Sequence, residues 1–166
     1  MQIYDWSQFR LRIPVNAEPA TIFNAWSTQQ GLESWFLRKA EFIKADGSMR
    51  PSKENVQIGD SYVWMWHGWP DEVSEKGVVL QENGKDVFKF SFGKGGNVTI
   101  NIKEEEGQTI EDLLQDEIPV DEHSRTLYHI GCTKGWVFYL ANLKSILEGG
   151  VDLRNRNELL RDVVNS

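Results

Sequence analysis

The feature that most limits the fold of this chain is a change in hydrophobic period. From Ala40 to Asp116 apolar and polar residues alternate, whereas after Pro119 the apolar residues Trp136, Tyr139, Leu140, Leu143, Ile146 and Leu147 fall at i, i+3, i+4, i+7, i+10 and i+11. Side chains alternate between the two faces of a strand, but residues three and four apart share one face of a helix. The sequence therefore predicts a series of strands followed by one long amphipathic helix. The strands are short and their connections are tight. Ser7 to Val15 carries Phe9, Leu11 and Ile13 on one face and Arg10 and Arg12 on the other. Phe42 and Ile43 sit in a short strand. Tyr62, Trp64 and Trp66 alternate with Val63, Met65 and His67, and Gly77 to Gln81 forms the next strand. Phe88, Phe90 and Phe92 share a face, as do Val98, Ile100 and Ile102, and the last strand runs from Thr109 to Asp116. Asn83-Gly84 reads as a two-residue hairpin turn. Gly93 to Asn97 and Glu106-Gly107-Gln108 are further turns. Strands joined by such short turns pair antiparallel, because a parallel crossover needs about a dozen residues or more.

Two short helices are predicted after the first strand. Asn16 offers a cap to the first, with Pro19 in its opening turn and Ile22, Phe23 and Trp26 on its apolar face. Thr28 starts the second, which carries Leu32, Trp35 and Phe36. The stretch Asp46 to Gly59 is a loop. The long helix is capped by Asp121 or Ser124, extends weakly through Tyr128 and Cys132, and ends at Gly149-Gly150. An apolar sheet face must be buried, and only one long helix is available to cover it. The expected architecture is α+β of the helix-grip kind. A curved antiparallel sheet of six or seven strands wraps around the C-terminal helix, leaving a cavity between them. Residues 1–150 form the domain. Residues 151–166 form a polar tail that adds a final turn of helix or frays.

Composition narrows the function. The 166 residues suit one domain. Seven Trp and eight Phe indicate either a bulky core or a cavity with aromatic walls. A net charge of −7 disfavours nucleic-acid binding and docking to an anionic membrane. The single cysteine, Cys132, cannot form an internal disulfide, which fits a reducing compartment. The N-terminus shows no apolar signal region, and no apolar run approaches the roughly 20 residues of a membrane span. A cytoplasmic location without membrane insertion is expected.

The segment Gly131-Cys132-Thr133-Lys134-Gly135-Trp136 is followed by Asn142-Leu143-Lys144, Leu147-Glu148-Gly149-Gly150 and Asp152-Leu153-Arg154. It resembles the C-terminal signature of the activator of Hsp-90 ATPase homologue-like family, within the START-like (SRPBCC) superfamily. The run Ile13 to Phe36, with Phe23, Ala25-Trp26 and Trp35-Phe36, resembles that family's opening strand and helix pair. Gly59-Asp60, the Trp64/Trp66 strand and the Thr109 to Gln115 strand also fit, so the resemblance covers nearly the whole chain. It implies a helix-grip fold with a central hydrophobic pocket. The co-chaperone of that name carries an additional N-terminal domain and this sequence shows none. Ligand binding is therefore expected ahead of chaperone ATPase activation.

Ten residues are candidates for the ligand site: Trp35, Phe36, Trp64, Trp66, Phe90, Gln115, Tyr128, Cys132, Trp136 and Tyr139. Each also has a purely structural reading. The rings fill a core equally well, and a buried Gln115 amide needs partners of its own. Trp35 and Phe36 end the second helix, near the expected mouth. Gly131 and Gly135 either let the sheet approach closely or precede the true start of the helix. Cys132 has His129 one helical turn earlier but reads better as a buried apolar thiol than as a nucleophile. His67, His123 and His129 lack metal-ligand spacing, and Glu104 to Glu106 read as a solvated edge. No catalytic residue, metal or cofactor is expected. The leading partner is a small apolar or amphipathic molecule. Rival readings are a stress-related protein-interaction module, with a protein partner or a second copy, and an enzyme acting on a hydrophobic substrate.

Overall fold

The computed structural model describes residues 4–160 and 163–164. The elements run β1 (Phe9–Pro14), α1 (Pro19–Ser27), α2 (Gln29–Trp35), β2 (Lys39–Ile43), β3 (Ser61–Met65), β4 (Ser74–Glu82), β5 (Val87–Ser91), β6 (Asn97–Glu105) and β7 (Gln108–Asp116). A last helical stretch follows, made of α3 (Glu122–Ser124), a π-helical segment (Arg125–Ile130) and α4 (Gly131–Leu147). The strands form one antiparallel sheet in the order β1-β7-β6-β5-β4-β3-β2. The chain closes β1 onto β7 by carrying α1 and α2 across the sheet, and the rest is a meander. This is a helix-grip fold, with the sheet curved around α4.

Alternation decides which face is inward. Tyr62 and Trp64 of β3, Phe88 and Phe90 of β5, Val98, Ile100 and Ile102 of β6, and Glu111, Leu113 and Gln115 of β7 are buried. The helices add Trp26, Trp35, Trp136 and Leu143 to the same core. Curvature has local causes. The β4–β5 register shifts between Val79 and Gln81, and a bulge bends its strand and increases the twist. Gly77 on β4 admits the Tyr62 ring: a Cβ there would lie 2.5 Å from the Tyr62 hydroxyl.

Several local expectations are corrected. Asn83-Gly84 is not a two-residue hairpin. Residues 83–86 form a four-residue loop in which Asn83 Oδ1 accepts the backbone N–H groups of Lys85, Asp86 and Val87. The tight two-residue turn is instead Glu106-Gly107 between β6 and β7, where both residues have positive φ (50° and 75°), as a type I′ turn requires. Asn16 does not cap α1. Glu18 holds that position without a side-chain hydrogen bond, while the Asn16 N–H donates to Glu148 Oε1 at 2.8 Å and ties the β1–α1 loop to the end of the long helix. Thr28 caps α2 by accepting the Gly31 N–H at 2.9 Å, and Asp121 caps α3 through the Ser124 N–H at 3.0 Å.

The tail forms no helix over residues 151–160. It carries a strap instead. Arg154 is buried and donates to the Glu33, Ser34 and Leu37 carbonyls at 3.2, 2.8 and 3.0 Å. Those carbonyls lie at the C-terminal end of α2, where no intrahelical donor reaches them. Asp152 holds the guanidinium at 2.8 Å, and Asn142 of α4 locks the strap by accepting the Leu153 N–H at 2.7 Å and donating to the Trp35 carbonyl at 2.7 Å. No helix among the described residues is long and apolar enough to cross a membrane. Arg154→Ala leaves buried carbonyls without donors and is expected to lower stability in urea denaturation by about 2–3 kcal/mol. Arg156→Ala, at an exposed neighbouring ion pair, is expected to change it by less than about 0.5 kcal/mol.

Candidate functional site

Between the end of α2, the β3 and β5 ends of the sheet and the start of α4 lies a cavity of about 150 Å³ that opens to solvent. Phe36, Trp66 and Phe92 form its sheet-side and α2-side walls. Cys132, Trp136 and Tyr139 line it from α4, with Gly131, Gly135 and Leu127 beside them. The aromatic walls are mutually braced. Phe36 lies 5.0 Å from Trp136 and edge-on to Tyr139 at 4.8 Å, and Phe92 lies 5.6 Å from Trp136, centroid to centroid. Trp136 is fixed in orientation, because its indole N–H donates to Gln115 Oε1 at 2.8 Å and the Gln115 amide donates in turn to the Gly95 carbonyl at 2.8 Å. A larger hollow of about 650 Å³ lies on the outside between Pro14–Pro19, Lys144 and Glu148. Its walls are predominantly polar, and it lacks the apolar character of a small-molecule site.

Five of the ten sequence candidates lie in the cavity wall: Phe36, Trp66, Cys132, Trp136 and Tyr139. Trp35, Trp64, Phe90 and Gln115 are fully buried in the core behind it. Trp35 donates its indole N–H to the Ala25 carbonyl at 2.9 Å, and Gln115 is the satisfied structural amide already described. Tyr128 packs toward Gly95, where a Cβ would lie 3.7 Å from its ring, outside the cavity lining. The reason is the π-helical segment 125–130. Its wider turn breaks the α-helical spacing that would carry the stripe from Trp136 and Cys132 back to Tyr128, so Leu127 meets the cavity instead. Phe92 was legible in the alternation of Phe88, Phe90 and Phe92. The two glycines need correction. Both lie within the helix, and neither admits the sheet: nothing lies within 4 Å of a Cβ at Gly135, and only the Thr126 carbonyl, at 3.7 Å, near one at Gly131. They leave the cavity wall open.

The matching family model is "Activator of Hsp90 ATPase homolog 1-like protein", over residues 16–148. The chain belongs to this family. Solved structures share its fold. A Staphylococcus saprophyticus protein, SSP2350, superposes with a TM-score of 0.67 at 17% identity, covering 89% of this chain and 96% of that one. The Aha1 dimer protein from Colwellia psychrerythraea gives 0.64 at 16% identity, covering 86% and 97%. DynU16, encoded in the dynemicin biosynthetic locus, gives 0.65 at 15% identity, covering 90% of this chain and 50% of that one. No curated protein matches this chain in sequence. At these identities the likeness extends to the fold.

In this member of the family the two titratable side chains that line the cavity, Cys132 and Tyr139, are held neutral. Burial pushes the Cys132 thiol upward, although Gln115 opposes the shift, so the thiol stays protonated and poorly nucleophilic. Burial likewise pushes Tyr139 up to about 12. Its hydroxyl has no hydrogen-bond partner among the described residues. His129 is buried and fixed between the Trp6 carbonyl (3.0 Å) and the Tyr4 hydroxyl (2.8 Å), away from the cavity. Among the described residues no three His, Cys, Asp or Glu side chains are placed to hold a metal ion.

Sequence reasoning missed Glu111. It is inward-facing on β7 and fully buried, and it accepts the Trp26 indole N–H at 2.5 Å. Its second oxygen, Oε2, has no partner among the described residues. Alternation on β7 placed it on the Leu113/Gln115 face, but a lone acidic residue in a strand carries no signal of its own. Burial raises its carboxyl to about 8 against the Trp26 bond, so it is neutral at pH 7. The native state then binds a proton that the unfolded state releases above its ordinary value near 4.5. The stabilising proton is fully present below that value in both states, and stability declines as pH rises from there through about 8. Unfolding free energies from urea denaturation are expected to fall steadily across this range in wild type, by a few kcal/mol in total. In Glu111→Gln, which keeps an acceptor for Trp26, they are expected to stay flat.

Proposed function

We propose that this chain binds a small hydrophobic or amphipathic molecule in the cavity between the sheet and α4, as a cytoplasmic protein. The single observation that carries the reading is the pair of helix glycines that hold the aromatic-walled cavity open. Glycine inside a helix costs roughly 1 kcal/mol relative to alanine, and Gly135 has no steric reason to be glycine, since its missing side chain faces empty space. The free Tyr139 hydroxyl is a polar handle beside apolar walls, the usual composition of a ligand pocket. At about 150 Å³ the cavity is below the roughly 300 Å³ common for whole ligands. It takes a headgroup or a short chain, and the rest of the molecule passes out through the mouth. Catalysis is the weaker reading. Cys132 and Tyr139 are both held protonated, and Glu111, whose carboxyl burial raises to about 8, is not part of the cavity wall.

A second reading, association with another copy of the chain, draws on the exposed Leu127, Ile130 and Val137 of the last helical stretch and on the dimeric Colwellia neighbour. Sedimentation of the purified protein as a monomer at 100 μM, roughly the micromolar range of weak assemblies, would dispose of it.

The cavity reading is tested with Gly135→Leu. Native mass spectrometry of wild type, followed by solvent extraction, is expected to show a stoichiometric apolar adduct. The Leu side chain fills the cavity, so the variant is expected to lose that adduct while its stability holds or rises by up to about 1 kcal/mol. An adduct that persists unchanged in the stably folded variant would place binding elsewhere.

A further inference from the structure

The cavity has a charge partner that none of its lining residues supplies. Glu75 on β4 pairs with Trp64 on β3. Directly opposed residues on adjacent strands share a face, and Trp64 is fully buried on the concave one, so Glu75 also points inward. Its carboxylate lies over Gly93, where a Cβ would be 2.5 Å from Oε1. Gly93 follows Phe92, a cavity wall. The charge is felt within the cavity lining, because it acts on the Cys132 thiol.

Glu75 is only partly exposed, and among the described residues it forms no ion pair. Its one hydrogen bond is from the N–H of its own neighbour, Lys76, at 3.1 Å. Burial raises its carboxyl accordingly. A half-buried carboxylate without a cation is an unsatisfied arrangement. The walls beside it are rings: Phe36, Trp66, Phe92, Trp136 and Tyr139. Ring faces carry the negative part of the aromatic quadrupole and attract cations. The positive N–H edge of Trp136 is engaged by Gln115 and is not available to repel a cation. No Lys or Arg lines the cavity, so an anionic headgroup finds no partner there and meets Glu75 as a like charge. The net charge of −7 favours approach of cations over anions.

We propose that the ligand is a cationic amphiphile, whose alkylammonium head seats among these five rings with Glu75 as its counter-charge and whose chain leaves by the mouth. This deepens, and rests on, the cavity-binding reading above. The opening of about 150 Å³ suits a headgroup of that kind better than a whole lipid.

The test titrates wild type, Glu75→Gln and Gly135→Leu with three six-carbon probes, hexyltrimethylammonium, hexanol and hexanoate, by calorimetry and by intrinsic tryptophan fluorescence. Wild type is expected to bind the ammonium about tenfold or more tighter than hexanol, with hexanoate weakest. Glu75→Gln is expected to cut the ammonium's advantage over hexanol severalfold, leaving the part that the rings supply, and to leave hexanol binding unchanged. Gly135→Leu is expected to bind none of the three. Hexanol binding as tightly as the ammonium would overturn the cationic assignment, and a preference for the ammonium undiminished in Glu75→Gln would overturn Glu75 as its counter-charge; either result leaves the cavity reading standing. Binding of no probe by folded wild type, or undiminished binding by Gly135→Leu, would overturn both.

Discussion

The bond between Trp136 and Gln115 is the point on which the rest of the structure turns. A seven-stranded sheet presents one broad apolar face, and a single long helix has to cover it. Trp136 brings that helix to the sheet centre. Its ring meets Trp26, Phe36, Phe90 and Phe92, while its N–H reaches Gln115 on β7. Gln115 then holds the Gly95 carbonyl in the turn between β5 and β6. Helix, sheet and turn are thus joined by one satisfied polar chain inside an aromatic cluster. Low local dielectric strengthens such bonds and makes a missing partner costly, so the helix has one defined position along the sheet. The cavity exists because that position is defined. One helix cannot contact a curved sheet along its whole length, and at the Gly131–Gly135 end contact gives way to open space.

Two further devices hold the same assembly. The Arg154 strap satisfies carbonyls at the end of α2 and, with Asn142, fastens α2 to α4. This places Phe36, which directly follows α2, against Trp136 and Tyr139 in the cavity wall. Glu111 works in the opposite sense. It is a neutral carboxyl kept in an apolar core by one indole donor, with its other oxygen unpartnered. Such a group costs stability that a Leu of similar size would not. Trp26 is its one hydrogen-bond partner among the described side chains, and its place beneath that ring couples the core around the cavity to pH.

The period switch, the short turns and a sheet of six or seven strands were legible in the sequence, because alternation and helical spacing are local properties of side-chain direction. The family followed from the Gly-Trp helix and its sequel. The aromatic side of the candidate site was half legible: rings on the right face were named, but whether each lines a void or fills the core depends on atoms brought from five or six other elements. Alternation put Trp64 and Trp66 on one strand face, yet β3 ends at Met65; Trp64 is sealed in the core and Trp66, just past the strand end, walls the cavity. The π-helical segment moved Leu127 into the place that α-helical spacing assigned to Tyr128. Asn83-Gly84 and Glu106-Gly107 exchanged roles, because a turn type depends on where the flanking ladder begins as well as on the residues in it.

The sequence by itself therefore determined the class of elements, their order and the identity of the helix that the sheet must grip. Each of these follows from the chain's own periodicity and from the need to bury one face, while the inward face of each strand was settled only by its packing. Tertiary structure alone decided that Gly135 opens a cavity, that Gln115 is a structural clamp, that Arg154 straps the tail to α2, and that Glu75 and Glu111 lie inside without cationic partners. Those are statements about what stands beside a side chain in space, and residues 20 to 120 positions apart supply the neighbours.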